Sequence, residues 1–135
     1  MATPFRCEVL TPEGQVFDEE VELVSTRTET GSIGILAGHQ PLLGLLAPAE
    51  LKLVKSGGDT VTYAQGEGYV QVSKEGVLLL VEEAHEPGEL DQSDLQEKLR
   101  KAEDDLGKAD EGSEAQAAAR RDKRRWEQFL RIAGA

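Results

Sequence analysis

Between Phe5 and Val81 the apolar positions fall in short runs, many of them alternating with polar residues, and turn residues interrupt them. Phe5 to Leu10 reads as extended. Thr11-Pro12-Glu13-Gly14 follows as a turn, because proline presets φ at the second position and glycine suits the fourth. Val21 and Leu23 alternate with Glu20 and Glu22, and Leu51 and Leu53 with Glu50 and Lys52. That period of two predicts half-buried strands. Ser56-Gly57-Gly58-Asp59 reads as a hairpin turn. Val61 and Tyr63 alternate with Thr60 and Thr62, Gly66-Glu67-Gly68 breaks the run, and Val70 and Val72 resume it. Lys74-Glu75-Gly76 turns again. Val77 to Val81 is continuously apolar, which predicts a strand buried on both faces. Turn signals every 8–12 residues or so predict an antiparallel β-sandwich or barrel over this part of the chain.

The period changes at Glu86-Pro87-Gly88, where two breakers with polar flanks mark a boundary. The chain therefore divides into an expected β domain, 1–87, and a helical domain, 88–135. Asp91 is placed to cap a helix, with Asp94 in its first turn. Leu95, Leu99, Ala102, Leu106 and Ala109 then recur at spacings of four and three, one face of a helix. Asp110-Glu111-Gly112-Ser113 ends it, and Ser113 with Gln116 has the form of a capping box for a second helix. Ala115, Ala119, Trp126, Phe129 and Ala133 give that helix its stripe, with Asp122 inside it. Two helices joined by a short turn form an antiparallel hairpin. Its seam is largely alanine, so it is weakly held.

One stretch departs from both patterns. Gly31 to Leu46 packs glycines between aliphatic residues and carries almost no charge, in a chain of 135 residues with net charge −11. An apolar surface of this kind needs something to pack against. It lacks the Gly-Lys-Ser/Thr ending of a phosphate loop and the glycine spacing of a dinucleotide fold. The net charge argues against general nucleic-acid binding, which needs cationic surface. It is uneven, however. Arg120 to Arg131 holds six basic residues (Arg120, Arg121, Lys123, Arg124, Arg125, Arg131) against Asp122 and Glu127, a local net of +4. Such a face is either simply solvated or meets an acidic segment of another protein, with Trp126, Phe129 and Leu130 as apolar anchors.

Composition removes further classes. No run of ~18 apolar residues is present, which excludes a transmembrane helix, and Met1 to Leu10 has no secretory pattern. The lone Cys7 excludes an internal disulfide framework and reads as an ordinary strand residue. His39 and His85 have no second ligand at a metal-site spacing. No serine lies in a nucleophile elbow, and the pairs Glu82-Glu83 and Asp104-Asp105 read as solvated faces. The sequence points to a binding role and to no catalysis, metal or cofactor.

Several segments, in order, resemble the epsilon subunit family of the F-type ATP synthase (delta in mitochondrial naming). Val9-Leu10-Thr11-Pro12-Glu13-Gly14-Gln15-Val16-Phe17 is similar to that family's opening strand and turn. Gly31-Ser32-Ile33-Gly34-Ile35-Leu36-Ala37-Gly38-His39-Gln40-Pro41-Leu42 resembles its motif G-x-x-G-I-L-P-G-H-x-P-L, with Ala37 in place of proline. Gly66-Glu67-Gly68-Tyr69-Val70-Gln71-Val72 looks like its G-G-F-x-x-V strand, and Leu90-Asp91 opens the helical part as the family does.

The resemblance implies a non-catalytic rotor subunit, peripheral at the cytoplasmic face of the cell membrane. The sandwich would bind the gamma subunit and the c-ring, through Ser32, Ile33, Gly34, His39, Gln40, Pro41 and Leu42. The helix pair would extend to reach an acidic segment of the beta subunit, through Arg120, Arg121, Lys123, Arg124 and Arg125, and so inhibit ATP hydrolysis. Some members bind ATP on the helix pair through (I/L)-D-x-x-R-A. Here Leu90 and Asp91 match, but Asp94 replaces the arginine and Leu95 the alanine. In the last helix Arg125 opens the pattern R-A-x-x-R-L-x-V-A, but Phe129 replaces its second arginine. A carboxylate where a phosphate-facing cation belongs is repulsive, so ATP binding is expected to be weak or absent. The alternative to a rotor subunit is a free-standing β-domain adaptor that binds an acidic partner through its last helix.

Overall fold

The computed structural model describes residues 3–134, and Met1, Ala2 and Ala135, the outermost residues of the two expected domains, lie outside that range. The chain divides after Glu86 into two compact units. Among the described residues the first holds nine strands: β1 (Phe5–Thr11), β2 (Gly14–Thr28), β3 (Gly31–Ile35), β4 (Leu42–Leu46), β5 (Ala49–Lys55), β6 (Thr60–Gln65), β7 (Gly68–Ser73), β8 (Gly76–Val81) and β9 (Ala84–His85).

The long strand β2 belongs to both layers of a sandwich. One of its edges pairs with β1 over Gly14–Val21 and then with β3 over Val24–Thr28. The other edge pairs with β5 over Val21–Ser25 and meets β4 at Thr28. One layer runs β1-β8-β7-β4 and the other β3-β2-β5-β6-β9. The pairings are antiparallel as expected except for β1 with β8, where Cys7–Leu10 runs parallel to Val77–Leu80. A parallel pair needs a long connection, and here all the intervening strands supply it.

The core is one aliphatic cluster that includes Val9, Val21, Val24, Ile35, Leu51, Leu53, Val70 and Leu79, all at 0% exposure. The pattern of Val77 to Val81 differs from its expectation. Val77, Leu79 and Val81 are buried, Leu78 is half-buried and Leu80 is 44% exposed. The sandwich covers one face of β8 only, so a continuous apolar run yields an alternating strand with leucine outside. Cys7 is fully buried, and desolvation first, with Glu8 and Asp18 adding, pushes its thiol pKa up to about 12. That holds it protonated and inert, in keeping with a strand residue. Buried Gln65 donates from Nε2 to the Ala47 carbonyl at 2.8 Å, which ties β6 to the link between β4 and β5.

The second unit begins with a 3-10 turn at Pro87–Glu89 and continues as helices α1 (Gln92–Lys108) and α2 (Glu114–Ala133). Asp91 caps α1, its Oδ1 accepting from the Ser93 and Asp94 amides at 2.9 and 3.2 Å. Ser113 caps α2, accepting from the Gln116 amide at 3.1 Å. The box closes one residue early, for Gln116 Oε1 accepts from the Gly112 amide at 2.8 Å.

The α1 stripe is as expected: Leu95 and Ala102 are buried, and Leu99, Leu106 and Ala109 half-buried. The α2 stripe is displaced. Ala119, Phe129 and Ile132 are buried, Trp126 and Ala133 are half-buried, and Ala115 is exposed. The branched Ile132 buries more apolar area than Ala133. Ala115 sits in the capping turn, at the end of the hairpin.

Candidate functional site

The glycine-rich stretch becomes β3, a loop and β4. Ser32 and Gly34 are exposed on β3, while Ile33 is half-buried against the core. The loop Leu36–Pro41 turns tightly. The His39 amide donates to the Leu36 carbonyl at 3.1 Å, and Gly38 between them has φ +80°, which glycine adopts without strain. His39 is half-buried and its Nδ1 lies 2.8 Å from the Gln40 carbonyl oxygen. Gln40 and Pro41 are exposed and Leu42 is half-buried. These residues separate into two groups. Ser32, Ile33 and Leu42 line a groove of about 460 Å³ with Leu43 and Leu45. His39 and Pro41 line a second depression of about 380 Å³ with Phe5, Leu36 and Val72. Gly34 and Gln40 line neither.

A further surface was not singled out from the sequence. Leu45 lies opposite Tyr69, Tyr69 opposite Leu80, and Leu80 opposite Leu10, one row across β4, β7, β8 and β1. Leu45, Tyr69 and Leu80 are 54%, 53% and 44% exposed, and Leu43 beside them is 73% exposed. Leu10, Leu45, Tyr69 and Leu80 border a groove of about 590 Å³. So many large apolar groups in one exposed row mark a docking face. The signal was present in Leu42-Leu43-Gly44-Leu45-Leu46, which is apolar on both sides of a strand that can bury one.

In the helical unit, the cationic residues are not equally available. Arg120 and Arg121 are exposed, and Arg121 pairs with Glu114 at 3.2 Å. Lys123 and Arg124 are half-buried. Arg125 is tied inward. Its guanidinium carbon lies 4.0 Å from the Trp126 ring centre and Nη2 lies 3.0 Å from Asp122. From α1, Lys98 Nζ lies 4.9 Å from the same ring and 3.0 Å from Asp94. Cation–π contacts of this kind contribute about 0.5–1 kcal/mol each at exposed sites; the Lys98 contact crosses from α1 to α2 and helps to close the hairpin, whereas the Arg125 contacts lie within α2. Of the residues compared with the ATP motif, Asp91 caps α1, Asp94 holds Lys98 and Arg125 stacks on Trp126, while Leu90 is half-buried and Leu95 and Phe129 are buried.

Among the described residues no group of three or more His, Cys, Asp or Glu could hold a metal ion, and no helix is long and apolar enough to cross a membrane. His85 Nε2 lies 2.8 Å from a Glu83 carboxylate oxygen.

An exposed apolar row on a sandwich followed by a helical hairpin describes a docking subunit of a larger assembly. Residues 4–87 match the family described as ATP synthase, Delta/Epsilon chain, beta-sandwich domain, and the chain belongs to that family. Within it, the relatives are ATP synthase epsilon chains. That of Frankia casuarinae is 40% identical over 81 residues, 60% of this chain and 95% of its own. That of Clostridium novyi is 32% identical over 110 residues, 82% and 84% of the two chains. Among solved structures, a chain of the Euglena gracilis mitochondrial ATP synthase (OSCP/F1/c-ring) superposes with TM-score 0.83 at 25% identity, over 98% of this chain and 82% of that one. A chain of the Tetrahymena thermophila mitochondrial central stalk and c-ring is alike in fold, with TM-score 0.65 at 16% identity over 98% of each chain.

Proposed function

We propose that this chain is a non-catalytic central-stalk subunit of a proton-translocating ATP synthase. Its β unit joins the gamma shaft to the c-ring, so that rotation of the ring is passed on. Its helices restrain ATP hydrolysis by reaching an acidic segment of the beta subunit. The observation that carries the docking part is the row of exposed Leu80, Tyr69 and Leu45, with half-buried Leu10 at its end, on the domain that the family match covers. The chain would then be peripheral, held at the cytoplasmic face of the cell membrane through the complex.

Truncation after Pro87 tests both parts. The strand unit keeps its own core, so the shortened chain is expected to assemble with the stalk, and ATP hydrolysis by the assembled enzyme is expected to rise severalfold. Hydrolysis equal to that of the full-length complex would remove the inhibitory role. Failure of even the full chain to co-purify with the complex would favour a free-standing adaptor.

Nucleotide binding is a separate matter. Asp94 places negative charge where a phosphate would need a cation, and Arg125 is held by Trp126 and Asp122. Isothermal titration of the isolated chain with ATP is expected to give no heat of binding up to millimolar nucleotide. A micromolar dissociation constant would contradict this.

A further inference from the structure

We infer that the free edge of β3 receives an added strand, an extended and uncharged segment of the neighbouring stalk subunit. The inference rests on the stalk reading above. Four observations lead to it. First, among the described residues β3 pairs with β2 alone. The Arg27 carbonyl of β2 accepts from the Ala47 amide at 3.0 Å, and the Glu29 amide just past β2 donates to the Leu45 carbonyl of β4 at 2.9 Å, both on the side away from β3. Ser32 lies opposite Arg27, so its amide and carbonyl also point away from the β2–β3 ladder. By alternation those of Gly34 do the same.

Second, this edge carries no charge, proline or bulge. Gly31-Ser32-Ile33-Gly34-Ile35 has no charged residue, no proline and no register shift, in a chain that is 30% charged. Open edges are normally blunted by lysine, proline or a bulge. Third, nothing within the chain requires glycine at position 34. Its φ is not positive, and an added Cβ would meet only Leu23 Cδ1, at 3.9 Å. A bare strand residue with no internal reason suits the close approach of another backbone. Fourth, the groove lined by Ser32, Ile33, Leu42, Leu43 and Leu45 lies beside the edge. Strand addition draws affinity from main-chain bonds and specificity from such side-chain seats. A second copy of this chain is a poorer occupant, because two chains of net charge −11 repel.

Amide hydrogen exchange on the full chain, free and within the assembled complex, tests this. In the free chain the Ser32 and Gly34 amides are expected to exchange fast, and in the complex at least about a hundredfold more slowly. Ser32→Pro removes one outward donor without touching the β2–β3 ladder. It is expected to weaken binding to the stalk about tenfold, while Ser32→Ala, which keeps the amide, binds as the unsubstituted chain does. Fast exchange of both amides in a stably assembled complex would overturn the added strand and leave the stalk assignment standing. Protection in the free chain that grows with concentration would overturn it in favour of self-pairing. Absence of any assembly with the stalk would remove both.

Discussion

Leu45→Glu combined with Tyr69→Arg is expected to leave the chain folded and to abolish its docking. Both side chains are more than half exposed, and they face each other across β4 and β7. In the free protein a glutamate and an arginine at these positions form a cross-strand ion pair in water, which a sheet tolerates at a cost near zero. In a dry interface the same pair must be desolvated, and the leucine and tyrosine contacts are lost as well. A loss of about 4 kcal/mol, roughly a thousandfold in affinity, is expected for a central pair of this kind. Binding of the variant to the isolated rotor, measured beside its thermal unfolding midpoint, checks both halves. Unchanged affinity with an intact fold would show that the row does not face the partner.

Gly68→Ala should act in the opposite manner, through the fold. Gly68 opens β7 opposite Val81 of β8 and Leu46 of β4. A methyl group there would overlap the Leu80 carbonyl oxygen and lie 2.8 Å from Val81 Cα. Those are backbone atoms, which cannot swing aside as a side chain can, so the β7–β8 ladder must open at that end. Overpacking against backbone destabilises by about 3 kcal/mol or more. The urea unfolding midpoint should fall accordingly. Gly34→Ala is the control, since its Cβ finds ordinary space beside Leu23. It should leave the midpoint unchanged or raise it slightly, because alanine restricts the unfolded chain. A midpoint for Gly68→Ala equal to that of the control would mean that the β7–β8 ladder is loose at that end. The same substitution displaces Tyr69 and Leu80, so it is expected to weaken docking too.

How far the sequence could be read differs along the chain. The helical unit was legible almost in full. Asp91 and Ser113 announce their caps by residue type and position, and Leu95 and Ala102 follow the helical period. These signals are local, for a helix bonds within itself. That Ile132 joins the α2 stripe was not legible, because the partner helix chooses the seam. In the strand unit, alternation located β5, β6 and β7. It missed the 15-residue length of β2, because a strand shared by two layers turns different faces inward along its course. It also misread Val77 to Val81, since an apolar run carries no record of which face will be covered. The candidate site was half legible. Gly31 to Leu46 stood out as uncharged, but its separation into an edge strand, a loop and a leucine-bearing strand did not.

By itself, then, the sequence determined that strands precede helices, that the pattern changes at Glu86–Gly88, and which residues cap both helices. It also carried the resemblance that the family match over residues 4–87 establishes. Only the tertiary structure decided that Leu10, Leu80, Tyr69 and Leu45 form one row, since they are brought together by the parallel pairing of β1 with β8 across nearly the whole strand unit. It alone decided that the β3 edge stays open while Arg125 is turned onto Trp126. Local periodicity fixes which residues can share a face. Which face is left uncovered depends on contacts between residues far apart in the chain, and no window of sequence holds both partners.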